Sequence, residues 1–191
     1  MSFLAQHERL KMGIVSALFA AIIAIFAQII IPLPLIPITG QTFAIGLAIT
    51  VLGLHYGTIS VLLYILLGAI GLPVFSGMTG GMGIIFGPTG GYIVGFLAQA
   101  ILMGIYFQLF GTTKTHSIVS NLLGMIVTLL FGMIWLKYWG HLTWAAAFTG
   151  GVVPFLFVGI LKAVLAGWIG SLLRHRLIRL KLLPTQAERS L

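Results

Sequence analysis

Six long apolar runs are the feature of this sequence that most limits what the chain can fold into. They lie at about 12–31, 41–54, 58–71, 92–110, 118–136 and 148–173. Only 6% of the residues are charged, whereas about 25% are charged in a typical soluble domain. A helix needs about 20 apolar residues to cross a bilayer, so we expect the two shortest runs to extend into their loops. The sequence therefore predicts one domain, an all-α integral membrane protein with six transmembrane helices.

The basic residues predict the orientation of this bundle. Arg9 and Lys11 precede the first run. A basic tail at 174–191 follows the last run and contains Arg174, Arg176, Arg179 and Lys181. Because cytoplasmic segments are enriched in Lys and Arg, both termini are predicted to be cytoplasmic. The proline-rich loop at 32–42 and the glycine-rich segment at 71–92 then lie on the outer face, which favours a ligand site open to the exterior.

The glycine-rich segment at 71–92 holds eight of the 25 glycines of the chain. Glycine is disfavoured inside helices by about 1 kcal/mol relative to alanine, so this segment is predicted to be non-helical. A mobile loop in water is one interpretation. Val74, Phe75, Met78, Ile84 and Phe86 are too apolar for that environment, so we favour a packed lid or pocket wall whose backbone can approach a ligand.

Lys162 is the one acidic or basic residue inside a predicted span. A charge within the bilayer costs at least about 2.5 kcal/mol and indicates a functional site. The only carboxylate side chains, Glu8 and Glu188, lie in the terminal segments, so an internal salt bridge is not expected. We favour a ligand anion as the partner of Lys162. Backbone carbonyls exposed near Pro154, or water, are the alternative.

Several other classes of function do not fit the sequence. No histidine lies within a predicted span beside an acid that could orient it, so an intramembrane serine protease is not expected. The five histidines are scattered and the chain has no cysteine, so we expect no metal site and no cofactor. The net charge of +8 sits mostly near the termini, which predicts membrane orientation rather than nucleic-acid binding.

Small residues on the first predicted helix mark a surface for close helix packing. Ala17 and Ala21 form a small-xxx-small pair, with Ala20 and Ala24 beside them. Packing inside the protein and docking of a partner subunit explain this pattern equally well.

Four short motifs occur in a fixed order along nearly the whole chain. They are PITGQTF at 37–43, GAIGLPVF at 68–75, GPTGGY at 87–92, and GVVPF at 151–155 followed by Lys162. With these motifs the sequence closely resembles the BioY family, the biotin-specific substrate-binding subunits (S components) of energy-coupling-factor (ECF) transporters.

The resemblance implies a six-helix bundle in the cytoplasmic membrane of a prokaryote, with both termini in the cytoplasm. It implies high-affinity capture of biotin near the outer face and its uptake. It also implies docking to an EcfT-like transmembrane coupling subunit, through Ala17 and Ala21, and two ATPase subunits that power transport. The chain has no G-x-x-x-x-G-K-[ST] sequence, so we expect no P-loop ATPase activity and no enzyme activity of its own.

The resemblance also implies a set of substrate-binding residues. Lys162 matches a basic residue that meets the ligand, Thr79 stands where many members have an asparagine, and Tyr92 closes a loop motif. Gly159 stands where members have an acid, so an S component for a different small carboxylate-bearing vitamin or metabolite is the alternative function. The full implied set is Thr39, Gln41, Phe75, Gly77, Met78, Thr79, Gly80, Tyr92 and Lys162.

Overall fold

The computed structural model describes residues 3–180 together with 182 and 183, so Lys181 and Glu188 lie outside the described residues. Two short strands and seven helices are found within this part of the chain. In chain order they are α1 (Phe3–Phe26), β1 (Ile30–Ile31), β2 (Ile38–Thr39), α2 (Gln41–Ala69), α3 (Met82–Ile85), α4 (Gly90–Phe110), α5 (Lys114–Trp139), α6 (Trp144–Gly151) and α7 (Val153–Arg179).

Five of the helices in the described residues are long and apolar enough to cross a membrane, which confirms an all-α membrane protein. They are α1 from Gln6, α2, α4, α5 and α7. The second and third predicted spans both fall within α2, which replaces the predicted loop at 55–57 with helix.

The helix α2 is broken at Gly53, whose φ of +77° and ψ of −169° are not helical. A Cβ atom built on Gly57 would lie 2.9 Å from the Cα atom of Ile49. Residues eight positions apart on a continuous helix are separated by about 12 Å along its axis. The chain therefore reverses at Gly53, and the segments at 41–52 and 54–69 are two helical arms that pack against each other.

The first predicted span ends earlier than expected. Helix α1 ends at Phe26, and Ile30 and Ile31 pair with Thr39 and Ile38 in an antiparallel hairpin. The three prolines of the predicted loop lie between these strands, where no helical hydrogen bonds are needed. This hairpin leads directly into α2.

The last predicted span, 148–173, is divided between two helices. Val152 has non-helical backbone angles, and α7 begins at Val153 with Pro154 in its first turn, where proline is tolerated. Because α7 continues to Arg179, Arg174 and Arg176 belong to a helix rather than to a tail.

Arg174 is buried, although the sequence predicted it to lie in the cytoplasmic tail. Its Nη1 donates to the backbone oxygen of Val51, at 2.6 Å. Val51 lies two residues before the break at Gly53, where helical carbonyls lose their usual partners. The guanidinium thus caps the first arm of α2, while Asn121 Nδ2 donates to Thr50 Oγ1 at 2.9 Å beside it.

Candidate functional site

A cavity of about 280 Å³ lies among the proline-containing hairpin, the glycine-rich segment and the helices α2, α4, α5 and α7. Its volume is close to the lower end, about 300 Å³, of the range typical of small-molecule sites. The segments at 36–42 and 75–89 both contribute lining residues, so they lie on the same side of the bundle. Six of the nine residues in the implied set line this cavity, namely Thr39, Gln41, Phe75, Thr79, Tyr92 and Lys162.

Lys162 is the only charged residue in the described part of the chain that lines the cavity. Its Nζ atom donates to the backbone oxygen of Thr39 at 3.0 Å. An ammonium group has three N–H donors, so two more are available for an acceptor in the cavity. Nine residues separate Lys162 from the start of α7 at Val153, or about 14 Å at the helical rise. Lys162 is therefore nearer to one end of its helix than the predicted span boundaries implied.

A polar chain behind Lys162 fixes the strand β2 and the start of α2. Thr39 Oγ1 donates to Gln41 Oε1 at 2.7 Å, and Gln41 Nε2 donates to the hydroxyl of Tyr64. Gln41 is buried, and Tyr64 is completely buried. Each polar group in this chain orients the next, so the carbonyl that accepts from Lys162 is held in place.

Phe75 forms one apolar wall of the cavity. Its ring meets that of Tyr64 edge-on, with centroids 5.5 Å apart, a favourable arrangement for aromatic pairs. A Cβ atom on Gly68 would lie 2.1 Å from Phe75 Cζ, so the ring packs directly on the backbone of α2. Thr79 follows at the end of a tight turn, in which Phe75 N donates to Thr79 O at 2.9 Å.

Gln28 holds this glycine-rich turn from the other side. Its Nε2 donates to Phe75 O at 3.1 Å, and its Oε1 accepts from Met78 N at 2.9 Å. The side-chain amide of Gln28, which lies just after α1, therefore holds both sides of the turn that covers the cavity.

The ring of Tyr92 lines the cavity, whereas its hydroxyl is already hydrogen-bonded within the protein. The hydroxyl donates to the backbone oxygen of Gly151 at 2.6 Å. The ring packs against Gly132, where a Cβ atom would lie 2.2 Å from it. Phe155 extends this aromatic surface, with its ring centroid 5.9 Å from that of Tyr92.

The other three residues of the implied set, Gly77, Met78 and Gly80, do not line the cavity. Gly77 and Met78 have positive φ angles of 73° and 56°, and the Met78 side chain is 67% exposed. A Cβ atom on Gly80 would lie 2.2 Å from Leu72 O. The two glycines thus meet the demands of a tight turn, and the binding role of the whole set stays a prediction.

Several lining residues carried no recognisable signal in the sequence. Phe96, Met125 and Leu129 are ordinary apolar helix residues that reach the cavity through helix packing. Thr128 also lines it and donates to Gln99 Oε1 at 2.7 Å, which joins α5 to α4. Gly159 lies one turn before Lys162, where a Cβ atom would be 2.7 Å from Met125 Sδ.

The two predicted docking alanines lie on the outside of the bundle. Ala17 and Ala21 are exposed on α1, whereas Ala20 between them is buried. Gly13, one turn before Ala17, has no atom within 4 Å of an added Cβ. Internal packing therefore does not explain the pair, and its docking role stays a prediction.

The cavity is suited to binding rather than to covalent chemistry. Its lining is mostly apolar, with a few threonine, serine and glutamine side chains and one ammonium group. No acid or histidine of the described residues lines it. Such a cavity fits a small amphiphilic anion.

Comparisons with known proteins point in the same direction. A family model described as the BioY family matches residues 4–179. The chain is 38% identical over 165 residues to the biotin transporter BioY2 of Lactococcus lactis subsp. cremoris, which covers 86% of this chain and 91% of that protein. It is 36% identical over 169 residues to the biotin transporter BioY of Thermotoga maritima, which covers 88% and 96%.

A solved structure shows the same fold. It is a crystal structure of the S-component for biotin from an ECF-type ABC transporter. The TM-score is 0.83 at 31% sequence identity, and the match covers 92% of this chain and 95% of the other.

Proposed function

This chain belongs to the BioY family, and from this premise we propose that it captures biotin and takes it up across the membrane as the substrate-specific subunit of an ECF-type transporter. The observation that carries the proposal is the placement of Lys162, which is the only charged residue among the described residues that line this otherwise apolar and hydroxyl-bearing cavity. Biotin combines an apolar ring, a polar ureido group and one carboxylate, which matches that set of groups.

We place the biotin carboxylate at Lys162. The ammonium has N–H donors beyond the one that Thr39 accepts, and the carboxylate is the only anionic group of biotin. Phe75, Phe96 and Phe155 offer apolar surface for the ring system. Thr79 and Gln41 offer polar atoms at the cavity for the ureido group.

The proposal is tested by isothermal titration calorimetry of the purified protein in detergent. Biotin should bind one-to-one, and desthiobiotin should compete with it. The proposal fails if biotin gives no saturable binding to a monodisperse sample.

A second candidate is an S component for a different small carboxylate-bearing vitamin or metabolite. Gly159 favours it, because this cavity-lining position has no side chain and Met125 lies against it. Competition between labelled biotin and an excess of unlabelled carboxylate-bearing vitamins separates the two candidates. Displacement of biotin by a lower concentration of another vitamin would support the second one.

We further propose that the two arms of α2 are separate membrane-spanning segments, giving six in total with both termini cytoplasmic. The reversal at Gly53 supports this count, since it divides α2 into two helical arms that pack against each other. The excess of Lys and Arg near the chain ends supports the orientation. In that orientation the cavity lies near the outer face of the cytoplasmic membrane of a prokaryote.

We also propose that energy comes from partner subunits. The exposed pair Ala17 and Ala21 would dock against an EcfT-like coupling subunit, because small residues let two helices approach closely. Two ATPase subunits would complete the transporter, consistent with the lack of a P-loop sequence in this chain.

A further inference from the structure

A second cavity, far from the first, lies between the start of α5 and the end of α7. Its volume is about 370 Å³, and it is lined by Thr113, Lys114, Leu172, His175, Arg176 and Arg179. Fourteen residues of α7 separate Arg176 from Lys162, or about 21 Å along the helix. The cavity is therefore independent of the proposed biotin site.

This second cavity brings like charges together from two different helices. Lys114 comes from α5, and Arg176 and Arg179 come from α7. Like charges at short range repel one another, and an anion between them relieves this repulsion. No carboxylate of the described residues lines the cavity. Among the described residues the only carboxylate side chain is Glu8, which lies on α1 and pairs with Lys11 at 3.9 Å.

The backbone at this cavity also favours an anion. Helix α5 begins at Lys114, so the N–H groups of its first turn and the positive end of its dipole lie at that point, although the N–H of His116 already donates to Thr113 Oγ1. On α7, His175 Nδ1 donates to Ser171 O at 2.7 Å, which fixes the ring against its own helix.

An apolar surface leads along α7 towards the basic residues. Leu172, His175, Arg176 and Arg179 have the spacing of one helix face. One turn earlier on that face, Trp168 and Ile169 are 47% and 39% exposed. A ligand that follows this face would therefore place apolar chains beside Ile169 and Leu172 and a negative group beside the arginines.

We propose that this cavity binds the phosphate headgroup of an anionic phospholipid, whose acyl chains lie along Leu172 and Ile169. Basic pockets between membrane helices are suited to such headgroups, since each Lys or Arg near the surface contributes to their attraction. The apolar surface and the position at the end of a membrane-spanning helix favour a lipid over a soluble phosphate.

The test is native mass spectrometry of the purified full chain titrated with dioleoyl phosphatidylglycerol, and in parallel with dioleoyl phosphatidylcholine. The wild-type protein should retain phosphatidylglycerol preferentially. The double variant Arg176→Gln/Arg179→Gln should bind it about thirtyfold more weakly, from the attraction typical of two basic residues. Phosphatidylcholine binding should be the same for both proteins.

Two control variants distinguish an effect at this cavity from a general effect of removing positive charge. Arg9→Gln/Lys11→Gln removes the same charge from α1 and should leave phosphatidylglycerol binding unchanged. Arg176→Lys/Arg179→Lys keeps the charge and should bind phosphatidylglycerol within about threefold of wild type. Gel filtration checks that each variant is monodisperse.

Three outcomes would overturn the proposal. The first is equal retention of phosphatidylglycerol by wild type and the double Gln variant. The second is an equal loss in the α1 control variant. The third is displacement of phosphatidylglycerol by millimolar inorganic phosphate, which would identify a site for soluble phosphate. In the first case, loss of association with a coupling subunit by the double Gln variant would identify the surface as a protein contact.

Discussion

The ammonium nitrogen of Lys162 lies 3.0 Å from the backbone oxygen of Thr39, although 123 residues separate the two along the chain. This hydrogen bond joins α7 to the strand β2 at the start of α2. It orients the ammonium towards the cavity that both residues line.

Replacing Lys162 should remove the preference for an acidic ligand. Charge-assisted hydrogen bonds contribute about 1.5–3 kcal/mol, so Lys162→Met should weaken biotin binding about ten- to hundredfold. Biotin methyl ester should bind wild type similarly weakly, and Lys162→Met should bind acid and ester about equally. Calorimetry measures all four affinities, and Lys137→Met, outside the cavity lining, serves as the control. Equal affinities of wild type for acid and ester would exclude a carboxylate contact at Lys162.

Removing the clamp at Gln28 should loosen the turn that covers the cavity. Gln28→Ala deletes the hydrogen bonds to Phe75 O and Met78 N, each typically worth about 1 kcal/mol. Biotin should therefore dissociate at least about tenfold faster, as measured by stopped-flow displacement of a labelled ligand. The backbone amide of Met78 should also exchange with deuterium faster.

The control for this change is Gln108→Ala, which truncates an exposed glutamine on α4. It should leave both rates unchanged. If Gln28→Ala and Gln108→Ala release biotin at the same rate, the amide clamp does not retain the ligand.

A large side chain on the exposed face of α1 should prevent docking of a coupling subunit without affecting biotin binding. Ala17→Trp or Ala21→Trp places a large side chain on an exposed surface, so biotin affinity should stay within about twofold of wild type. Co-purification with an EcfT-like coupling subunit should be lost, because close helix approach requires small residues. Ala145→Trp, at an exposed alanine of α6, is the matched control. Retention of the coupling subunit by both α1 variants would rule out this face as the docking surface.

A methyl group at Gly68 should destabilise the pocket wall. Its Cβ atom would lie 2.1 Å from Phe75 Cζ, and overpacking of this kind typically costs about 1–3 kcal/mol. Gly68→Ala should lower the thermal unfolding midpoint in detergent and weaken biotin binding, because Phe75 must move. Gly13→Ala adds the same atom where nothing lies within 4 Å, and it should be neutral or slightly stabilising. A midpoint for Gly68→Ala equal to that of Gly13→Ala would contradict the packing seen here.

The sequence could predict the class of fold because hydropathy is a property of local sequence. The two runs predicted at 41–54 and 58–71 place a break within a few residues of Gly53, but the sequence could not predict that the chain reverses at Gly53 itself, since no proline or charge marks that position. The division of the last span at Val152 was missed for a similar reason. Pro154 is compatible both with the start of a helix and with a kink inside one.

The sequence predicted those residues of the candidate site whose chemistry allows few other roles. Lys162 stood out because an ammonium group is costly inside a membrane. Arg174 did not, because the predicted boundary placed it outside the last helix, whereas it is buried against Val51 O. Met78 was expected to cover the ligand because it is apolar. Its positive φ and its hydrogen bond to Gln28 instead set the backbone of an outward-facing turn.

Gln28 has a thermodynamic consequence for transport, because it stands seven residues after Ala21 and holds the turn over the cavity. Any shift of α1 on contact with another subunit would act on the two hydrogen bonds that hold this turn. Such coupling is reciprocal. If the partner subunit changes the affinity for the vitamin by some factor, the vitamin changes the affinity for the partner subunit by the same factor. Subunits with and without bound vitamin would then bind the coupling subunit with different affinities.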